Sequence, residues 1–253
     1  MSLKIIAAGD SWADYPKILM TGGGLIDHLS VVMGVPITNY AHAGDATLAT
    51  MGLEKSKRLE SILPGADILL FSGGGDDIAG DQFCIWLNQN TDGDVSKSIN
   101  YNRLGAALNL IIANYEDLTD IRDRIAPNCL IVTHSYDWPV APMLGVGVLW
   151  LGPWLKPSLD YCGWTDEDDQ VQIVKKVMLE FQSRMSAFAA QSRLHLHINT
   201  QGTIAPEDWG NEIHANSAGW TKLAQVVNAA LLPWMDTIAG ASAASPPPAP
   251  DYG

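Results

Sequence analysis

Four short segments of this sequence carry the side chains that could do chemistry, and each comes after a run of apolar residues. The first segment holds Ser11, whose hydroxyl could act as a nucleophile. The last holds His214, whose imidazole could take up the proton of that hydroxyl. The segments between them are rich in glycine and aspartate. In the numbering of the chain they are residues 9–12, 41–45, 72–77 and 208–214.

Ser11 lies where the first apolar run ends and where we expect a helix to begin. The first N–H groups of a helix have no partner within it, so they could stabilise an oxyanion that forms beside the hydroxyl. The alternative is that Ser11 only caps the helix. This segment alone leaves both interpretations open.

A serine nucleophile needs a base, and the histidines differ in how well they are placed to be one. His214 precedes the last predicted helix in a loop, so it is free to approach Ser11 and is the preferred candidate. His134 ends the fourth apolar run, and His42 lies in the second polar segment; both are weaker candidates. His195 and His197 alternate within an apolar run and are interpreted as structural.

The elements that must position these residues form an alternating pattern of short apolar runs and longer amphipathic stretches. Runs of this kind between helices are typical of buried parallel strands. The periodic stretches 104–118 and 171–188 predict helices, and a last helix is predicted to start with Ser217 as its N-cap. The pattern predicts a three-layer α/β/α sandwich, in which ligands bind beyond the carboxyl ends of the strands. The apolar runs are residues 3–8, 36–40, 68–71, 129–133 and 194–198.

The chain is 253 residues long, which suits one domain. We expect a single domain over 1–239, with an apolar, Trp-rich insertion at about 136–164, and a flexible Ala/Ser/Pro-rich tail over 240–253. No apolar run is long enough to span a bilayer, and the first residues do not resemble a signal peptide. As written, the sequence predicts a cytoplasmic protein, although a removed leader stays open.

The charge balance excludes two classes of partner. There are 15 basic and 28 acidic residues, a net charge of −13, whereas nucleic acids and anionic membranes require a basic surface. Three cysteines without a CxxC pair argue against a disulfide scaffold and against a cysteine zinc site. We expect no cofactor and no bound metal. The expected partner is a small molecule.

The four segments, in their order along the chain, resemble the conserved blocks of the SGNH (GDSL-type) hydrolases. Residues 9–11 are similar to block I, residues 39–44 to block II, residues 74–77 to block III and residues 211–214 to block V. The resemblance extends roughly from Ile5 to Leu231. It implies a flavodoxin-like fold with five parallel strands in the order 2-1-3-4-5 and the activity of a serine esterase.

The resemblance also implies a role for each matching residue. Ser11 would attack an ester carbonyl, and His214 would take its proton and return it to the leaving alcohol. The N–H groups of Ser11 and Gly44 would hold the oxyanion, with the block III side chain, here Asp76, as a third donor.

The chain departs from the family pattern at two positions. Asp76 stands where block III has Asn, and it could donate a hydrogen bond only when protonated. Asn211 stands where block V has Asp, so we expect Asp208, from the same loop, to be the charged partner of His214, with Asn211 as the alternative. A further hypothesis is that Asp76 itself restores a negative charge near His214.

The Trp-rich segment is either a loop packed on the core, or a dimer contact, or an apolar wall that receives an acyl group. The third interpretation favours a small or medium acyl or aryl ester as substrate. A homodimer is also compatible with the apolar segment. The residues predicted to form the wall are Trp12, Trp138, Met143, Trp150 and Trp154.

Two other functions stay open. One is a catalytically weakened relative that binds an acyl or aryl ligand without turning it over. The other is a metal-dependent phosphoesterase that uses Asp76, Asp77 and Asp81.

Overall fold

A computed structural model describes residues 3–17, 22–149 and 151–244 of the chain, and for residues 239–244 only the backbone. Five parallel strands form one sheet in the order β2-β1-β3-β4-β5, which confirms the predicted topology. The order reverses between β1 and β3, so the ends of these strands flank a crevice where α/β sheets bind ligands. The strands are β1 Ile5–Gly9, β2 Thr38–Asn39, β3 Ile68–Ser72, β4 Leu130–His134 and β5 His195–Ile198.

Helices cover both faces of the sheet, as the three-layer prediction requires. The first and last helices, α1 and α8, pack against each other, and α5 packs against α3 and α7. The strands β1 and β3 are buried along their whole length because both of their faces are covered. The helices are α1 Leu25–Met33, α2 Thr47–Thr50, α3 Leu53–Ile62, α4 Gly75–Ile78, α5 Tyr101–Ile125, α6 Lys156–Tyr161, α7 Glu167–Gln191 and α8 Ser217–Ala244. Short 3₁₀ turns lie at Asp81–Trp86, Val95–Lys97, Ala141–Met143 and Pro206–Asp208.

The end of β1 approaches β3 too closely for any side chain at Gly9. A Cβ atom there would lie 1.8 Å from the carbonyl oxygen of Ser72, and Gly9 has a φ of +125°. Only glycine tolerates both conditions. The N–H of the next residue, Asp10, donates to that same carbonyl at 2.9 Å. The backbone that leads into Ser11 is therefore held against the neighbouring strand.

Three local predictions need correction. Ser11 begins a short turn, not a helix, and among the described residues the next helix starts at Leu25. Helix α8 starts at Ser217, but its capping side chain is Asn216, which accepts from the N–H groups of Ala218 and Gly219 at 2.9 and 3.1 Å. The helix also continues to Ala244, so residues 240–244 of the predicted tail are helical. The rest of that tail lies outside the described residues.

The Trp-rich insertion folds as an irregular segment with little regular structure. It contains one 3₁₀ turn, Ala141–Met143, an isolated bridge between Val148 and Leu151, and then α6. Several glycines and prolines prevent a long helix here. In the described part of the chain, no helix is both long and apolar enough to cross a membrane.

Candidate active site

Ser11 and His214 are in direct contact at the carboxyl end of β1. The Oγ of Ser11 lies 2.7 Å from the Nε2 of His214, across 203 positions of sequence. Ser11 is 8% exposed and His214 is 4% exposed. The structure therefore brings together the predicted nucleophile and the predicted base, in a nearly dry environment.

Asn211 holds the other side of the imidazole and decides which of its nitrogens carries the proton. Its Oδ1 accepts from the backbone N–H groups of Ile213 and His214 at 3.1 and 3.0 Å. Because those groups can only donate, the atom facing them is the amide oxygen, not the nitrogen. The Nδ1 of His214, 3.0 Å from the same oxygen, must then be the protonated nitrogen. That leaves Nε2 as an acceptor for the hydroxyl proton of Ser11.

The expectation that Asp208 is the partner of His214 is wrong. Asp208 is buried, but its Oδ2 accepts from the Nζ of Lys222 at 2.5 Å and from the N–H of Ala205 at 3.3 Å. The carboxylate is thus committed to the start of α8 and does not contact the imidazole. The alternative, Asn211, occupies the position beside Nδ1.

Burial determines the basicity of His214. Desolvation lowers the pKa of its imidazole to about 3, since a buried imidazolium loses its hydration and gains no carboxylate. The ring is neutral at physiological pH. The hypothesis that Asp76 restores a negative partner is not supported, because within the described residues the His214 ring forms hydrogen bonds only to Ser11 and Asn211.

Two aromatic side chains hold the His214 ring in place. Tyr15 lies against it with ring centroids 4.2 Å apart, and the Tyr15 hydroxyl accepts from the Nδ2 of Asn211 at 2.9 Å. Trp154 meets the ring edge-on at 5.4 Å. Tyr15 was not predicted as a site residue. Its position four residues after Ser11 was the only available signal.

Asp10 anchors the turn that carries Ser11. Its carboxylate accepts from the Ser72 hydroxyl at 2.6 Å, from the Trp12 N–H at 3.0 Å and from the Tyr136 hydroxyl. Burial raises the pKa of Asp10. Trp12 in turn donates from its indole to the carbonyl of Ile213 at 2.9 Å, which ties the Ser11 turn to the loop of His214.

Two backbone N–H groups at the cleft are left without a hydrogen-bond partner among the described residues. Within the described chain, the N–H groups of Ser11 and Gly44 have no hydrogen-bond partner. Gly44 has a φ of +86° and lines the same cleft as Ser11 and His214. Unpaired N–H donors beside a nucleophile could form an oxyanion hole.

Asp76, the residue that replaces the block III Asn, also lines this cleft. Its pKa is raised from 3.8 to about 7, first by burial and then by the negative charges of Asp10, Asp77 and Asp45. Near neutral pH a large part of Asp76 is therefore protonated, and in that form its hydroxyl can donate a hydrogen bond. Asp77 next to it accepts from the N–H and hydroxyl of Thr47 at 2.7 and 2.8 Å.

The structure places the residues of the predicted apolar wall in different surroundings. Trp154, together with Leu149 and Leu151, lines a cleft of about 250 Å³ above Ser11 and His214. Trp12 instead lines a smaller cavity, which Ser11 also borders. Trp138 and Met143 border neither space and pack against the core, so the structure does not place them in the wall that was predicted to contain them. Trp150 lies outside the described residues.

Glu212, between Asn211 and His214, is a site residue that the sequence analysis missed. It is fully buried, and its carboxylate accepts from the backbone N–H groups of Gly145, Leu155 and Lys156 at 3.0, 2.8 and 2.8 Å, as well as from that of Trp154. It therefore joins the His214 loop to the insertion that covers the cleft. No sequence signal revealed these partners, which lie more than 55 positions away along the chain.

The remaining candidates have other roles. His134 lies within 2.9 Å of the Ser72 hydroxyl, and His42 lies 3.0 Å from the guanidinium of Arg58.

Among the described residues, no three His, Cys, Asp or Glu side chains are grouped so that they could hold a metal ion. The phosphoesterase interpretation, which depends on such a group near Asp76, therefore has no structural support.

The chain resembles known proteins in structure and not in sequence. No protein-family model and no curated protein sequence matches the chain. The solved structures that it resembles include the lipase Lip_vut3 from a goat rumen metagenome, with a TM-score of 0.61, 14% identity and coverage of 90% of this chain and 97% of that one. An extracellular lipase from Streptomyces rimosus has a TM-score of 0.57 and 14% identity, and the match covers 90% of this chain and 100% of the lipase. A proposed SGNH hydrolase from Slackia heliotrinireducens has a TM-score of 0.54 and 12% identity, and the match covers 91% of this chain and 100% of that protein. The chain has the SGNH-hydrolase fold.

The SGNH fold explains why residues so distant in sequence meet. Ser11 follows β1, Gly44 follows β2 and Asp76 follows β3, and these three strands are neighbours in the sheet. His214 reaches them from the loop before α8.

Proposed function

We propose that the protein is a serine esterase that hydrolyses carboxylic esters through an acyl-enzyme intermediate. The observation that carries the proposal is the bonded series from Ser11 through His214 to Asn211, with the tautomer of the imidazole set for a base at Nε2. The SGNH fold and its similarity to lipases support the same reaction class.

In the first half-reaction, the Oγ of Ser11 forms a bond to the ester carbonyl carbon while its proton passes to the Nε2 of His214. The carbonyl oxygen becomes an oxyanion, which the N–H groups of Ser11 and Gly44 and a protonated Asp76 stabilise. The bond to the alcohol oxygen then breaks. The alcohol leaves with the proton from Nε2, and the acyl group remains on Ser11.

In the second half-reaction, water repeats the attack on the acyl-enzyme. His214 takes a proton from the water as its oxygen bonds to the acyl carbon, and the same oxyanion forms. The bond to the Ser11 Oγ breaks as that oxygen recovers the proton. The products are the free acid and the original enzyme.

Hydrolysis of p-nitrophenyl acetate tests the proposal with wild type, Ser11→Ala and His214→Ala. Loss of either partner is expected to reduce kcat by about 10⁴-fold or more. Matched controls are Ser61→Ala, at an exposed serine, and His42→Ala, at one of the two weaker base candidates; both are expected to keep full activity. A fluorophosphonate should label wild type and both controls, but not Ser11→Ala. Labelling of Ser11→Ala at the wild-type rate would show that Ser11 is not the nucleophile.

The two departures from the block pattern favour one alternative, a ligand-binding protein without turnover. Asn211 supplies no charge to stabilise an imidazolium, and an ionised Asp76 would oppose an oxyanion. The same assay distinguishes the two functions. The alternative predicts no turnover and no labelling in wild type, together with saturable binding of a non-hydrolysable ester analogue.

A further inference from the structure

Two separate spaces meet at Ser11, and they differ greatly in size. One is the cleft of about 250 Å³, and the other is a cavity of about 40 Å³. Both are bordered by Ser11, Asp76 and Ile213. An ester also has two arms that meet at one carbonyl carbon, the atom that Ser11 would attack. Each arm must therefore enter one of the two spaces.

The position of His214 decides which arm enters which space. The alcohol must receive a proton from the Nε2 of His214 as it leaves, so its oxygen has to lie beside this ring. His214 borders the large cleft and does not border the small cavity. The alcohol arm consequently enters the large cleft, and the acyl arm is left with the small cavity.

The small cavity has a rigid apolar wall. Val174 and Met178 reach it from α7, and Tyr136 and Leu155 complete that side. All four are almost fully buried, at 0%, 6%, 5% and 1% exposure, respectively. A wall that is packed this completely does not enlarge without loss of packing energy. Its size is thus a limit on what can enter.

The volume sets the length of the acyl group. A cavity needs about 10–15 Å³ to hold one water molecule. A volume of about 40 Å³ is only a few times this minimum, so the cavity accepts a short acyl chain and excludes a long one. The large cleft, in contrast, is lined by Val148, Leu149, Leu151 and Trp154, and Leu149 and Leu151 are 65% and 53% exposed. This wall suits an apolar alkyl or aryl alcohol.

We propose, on the basis of the esterase function above, that the enzyme is selective for two- to four-carbon acyl groups esterified to large apolar alcohols. The wall formed by Val148, Leu149, Leu151 and Trp154 then binds the alcohol of the substrate. One of the three interpretations of the Trp-rich segment was instead a wall that receives the acyl group. The acyl group is instead selected by α7, which the sequence analysis did not connect with the site.

Two isomeric esters test the assignment on wild-type enzyme. Hexyl acetate and ethyl hexanoate have the same atoms and similar hydrophobicity, but the long chain is on the alcohol in the first and on the acyl group in the second. We expect kcat/KM for hexyl acetate to exceed that for ethyl hexanoate by about 100-fold. Equal rates or the reverse order would overturn the proposal. Failure to hydrolyse either ester or p-nitrophenyl acetate would instead refute the esterase function itself.

A matched pair of variants locates the selectivity in the small cavity. Met178→Ala enlarges the cavity and should reduce the hexyl acetate to ethyl hexanoate ratio at least tenfold. Met185→Ala removes an equally buried methionine two turns along the same helix that borders neither space, and should leave the ratio unchanged. If Met178→Ala does not fold, Val174→Ala makes a smaller enlargement of the same wall. An unchanged ratio in a folded cavity variant would contradict the proposal.

Discussion

Asp76 is a single residue whose protonation state alters the chemistry of the whole site. Protonated, it can donate to an oxyanion; ionised, it presents a negative charge to one. Its pKa of about 7 arises mainly from burial and then from three neighbouring aspartates. An Asn side chain at this position would have a donor at every pH. This chain instead has one that is removed as the solution becomes alkaline.

The variant Asp76→Asn should therefore change how activity depends on pH. In wild type we expect kcat to fall as the pH rises through about 7, because the third donor ionises. In Asp76→Asn this fall should disappear, and kcat at pH 8.5 should exceed that of wild type by about 10-fold or more. The measurement is kcat for p-nitrophenyl acetate from pH 5 to 9, corrected for spontaneous hydrolysis. A wild-type profile that stays flat or rises through this range would contradict the assigned role.

The same substitution has a thermodynamic consequence that does not depend on activity. The pKa of Asp76 is raised from 3.8 to about 7 on folding, so its stabilising contribution is complete below pH 3.8 and is lost as the pH rises through 7. The free energy of unfolding of Asp76→Asn, relative to wild type, should rise between pH 4 and pH 8. Urea denaturation at the two pH values measures it. A constant difference would mean that Asp76 has its ordinary pKa.

Asn211 sets the orientation of His214 but supplies no charge, which makes Asn211→Asp an informative variant. The carboxylate can still accept from the two N–H groups and Nδ1, and the Tyr15 hydroxyl can reverse its role and donate. A charge-assisted bond to the imidazolium is expected to raise kcat about tenfold, which is about 1.4 kcal/mol. It should also raise the pKa of His214 above about 3. When the solution is acidified, Asn211→Asp should therefore lose activity at a higher pH than wild type does. Profiles of kcat/KM from pH 3.5 to 7 test this. If kcat/KM of wild type and of Asn211→Asp falls at the same pH on acidification, the prediction is contradicted.

The sequence was sufficient to predict that Ser11 and His214 lie together, but not which side chain contacts the Nδ1 of His214. Ser11 and His214 follow from their positions after a strand and before a helix, which the fold brings together. The choice between Asp208 and Asn211 could not be made from spacing. It depends on Lys222, fourteen positions further along, which pairs with Asp208 and holds it away from the ring. Competition of this kind between partners is decided only in three dimensions.

At the level of elements, the insertion over the cleft is held by one carboxylate. Four backbone N–H groups, from residues 145–156, donate to Glu212, two to each oxygen. Glu212 itself donates from its N–H to the carbonyl of Val146 at 2.8 Å. Because Glu212 lies two residues before His214, the position of the cover and that of the base are mechanically linked.

Glu212→Gln should release this link. The amide nitrogen of Gln cannot accept, so the two N–H groups that face it lose their partner, at about 1–3 kcal/mol each. We expect the free energy of unfolding to fall by about 2 kcal/mol or more, and amide exchange in residues 144–156 to accelerate. Glu207→Gln, at an exposed glutamate in the same loop, is the control and should change neither. Exchange that accelerates evenly over the whole protein would show that Glu212 contributes only to global stability.

The strands were more predictable than the connections between them. Each of the five predicted runs contains a strand. The strands β1, β3 and β4 are buried almost throughout and leave a continuous apolar signal, whereas β2 is reduced to Thr38–Asn39 and is not buried. The segment after Ser11 was predicted to be a helix and is a turn. The carboxylate of Asp10 there accepts from the Trp12 N–H and ties the backbone to Ser72 and Tyr136, and such tertiary contacts leave no local pattern. The contacts of the insertion, which depend on Glu212, were unpredictable for the same reason.

At the scale of the whole molecule, the charge of the protein acts on substrates before they reach Ser11. The net charge of −13 produces a negative potential that extends over about 30 Å at 0.01 M salt and about 3 Å at 1 M. Asp76 adds a partial negative charge within the cleft itself. Neutral esters are unaffected by this field, and anionic esters are repelled by it.

A pair of acetate esters with similar alcohols isolates this effect. The first, 4-acetoxybenzoate, is anionic at pH 8, and the second, its methyl ester, is neutral; both place an acetyl group in the small cavity and an aryl group in the large cleft. At 10 mM salt we expect kcat/KM of the neutral ester to exceed that of the anionic ester, and raising the salt to 500 mM should reduce the ratio by about three- to tenfold. The intrinsic reactivity of the two esters cancels in this comparison, because only the change of their ratio with salt is used. A ratio that does not move with ionic strength would mean that the charge of the molecule as a whole does not reach its active site, and that any preference for neutral esters comes from the apolar wall of the cleft alone.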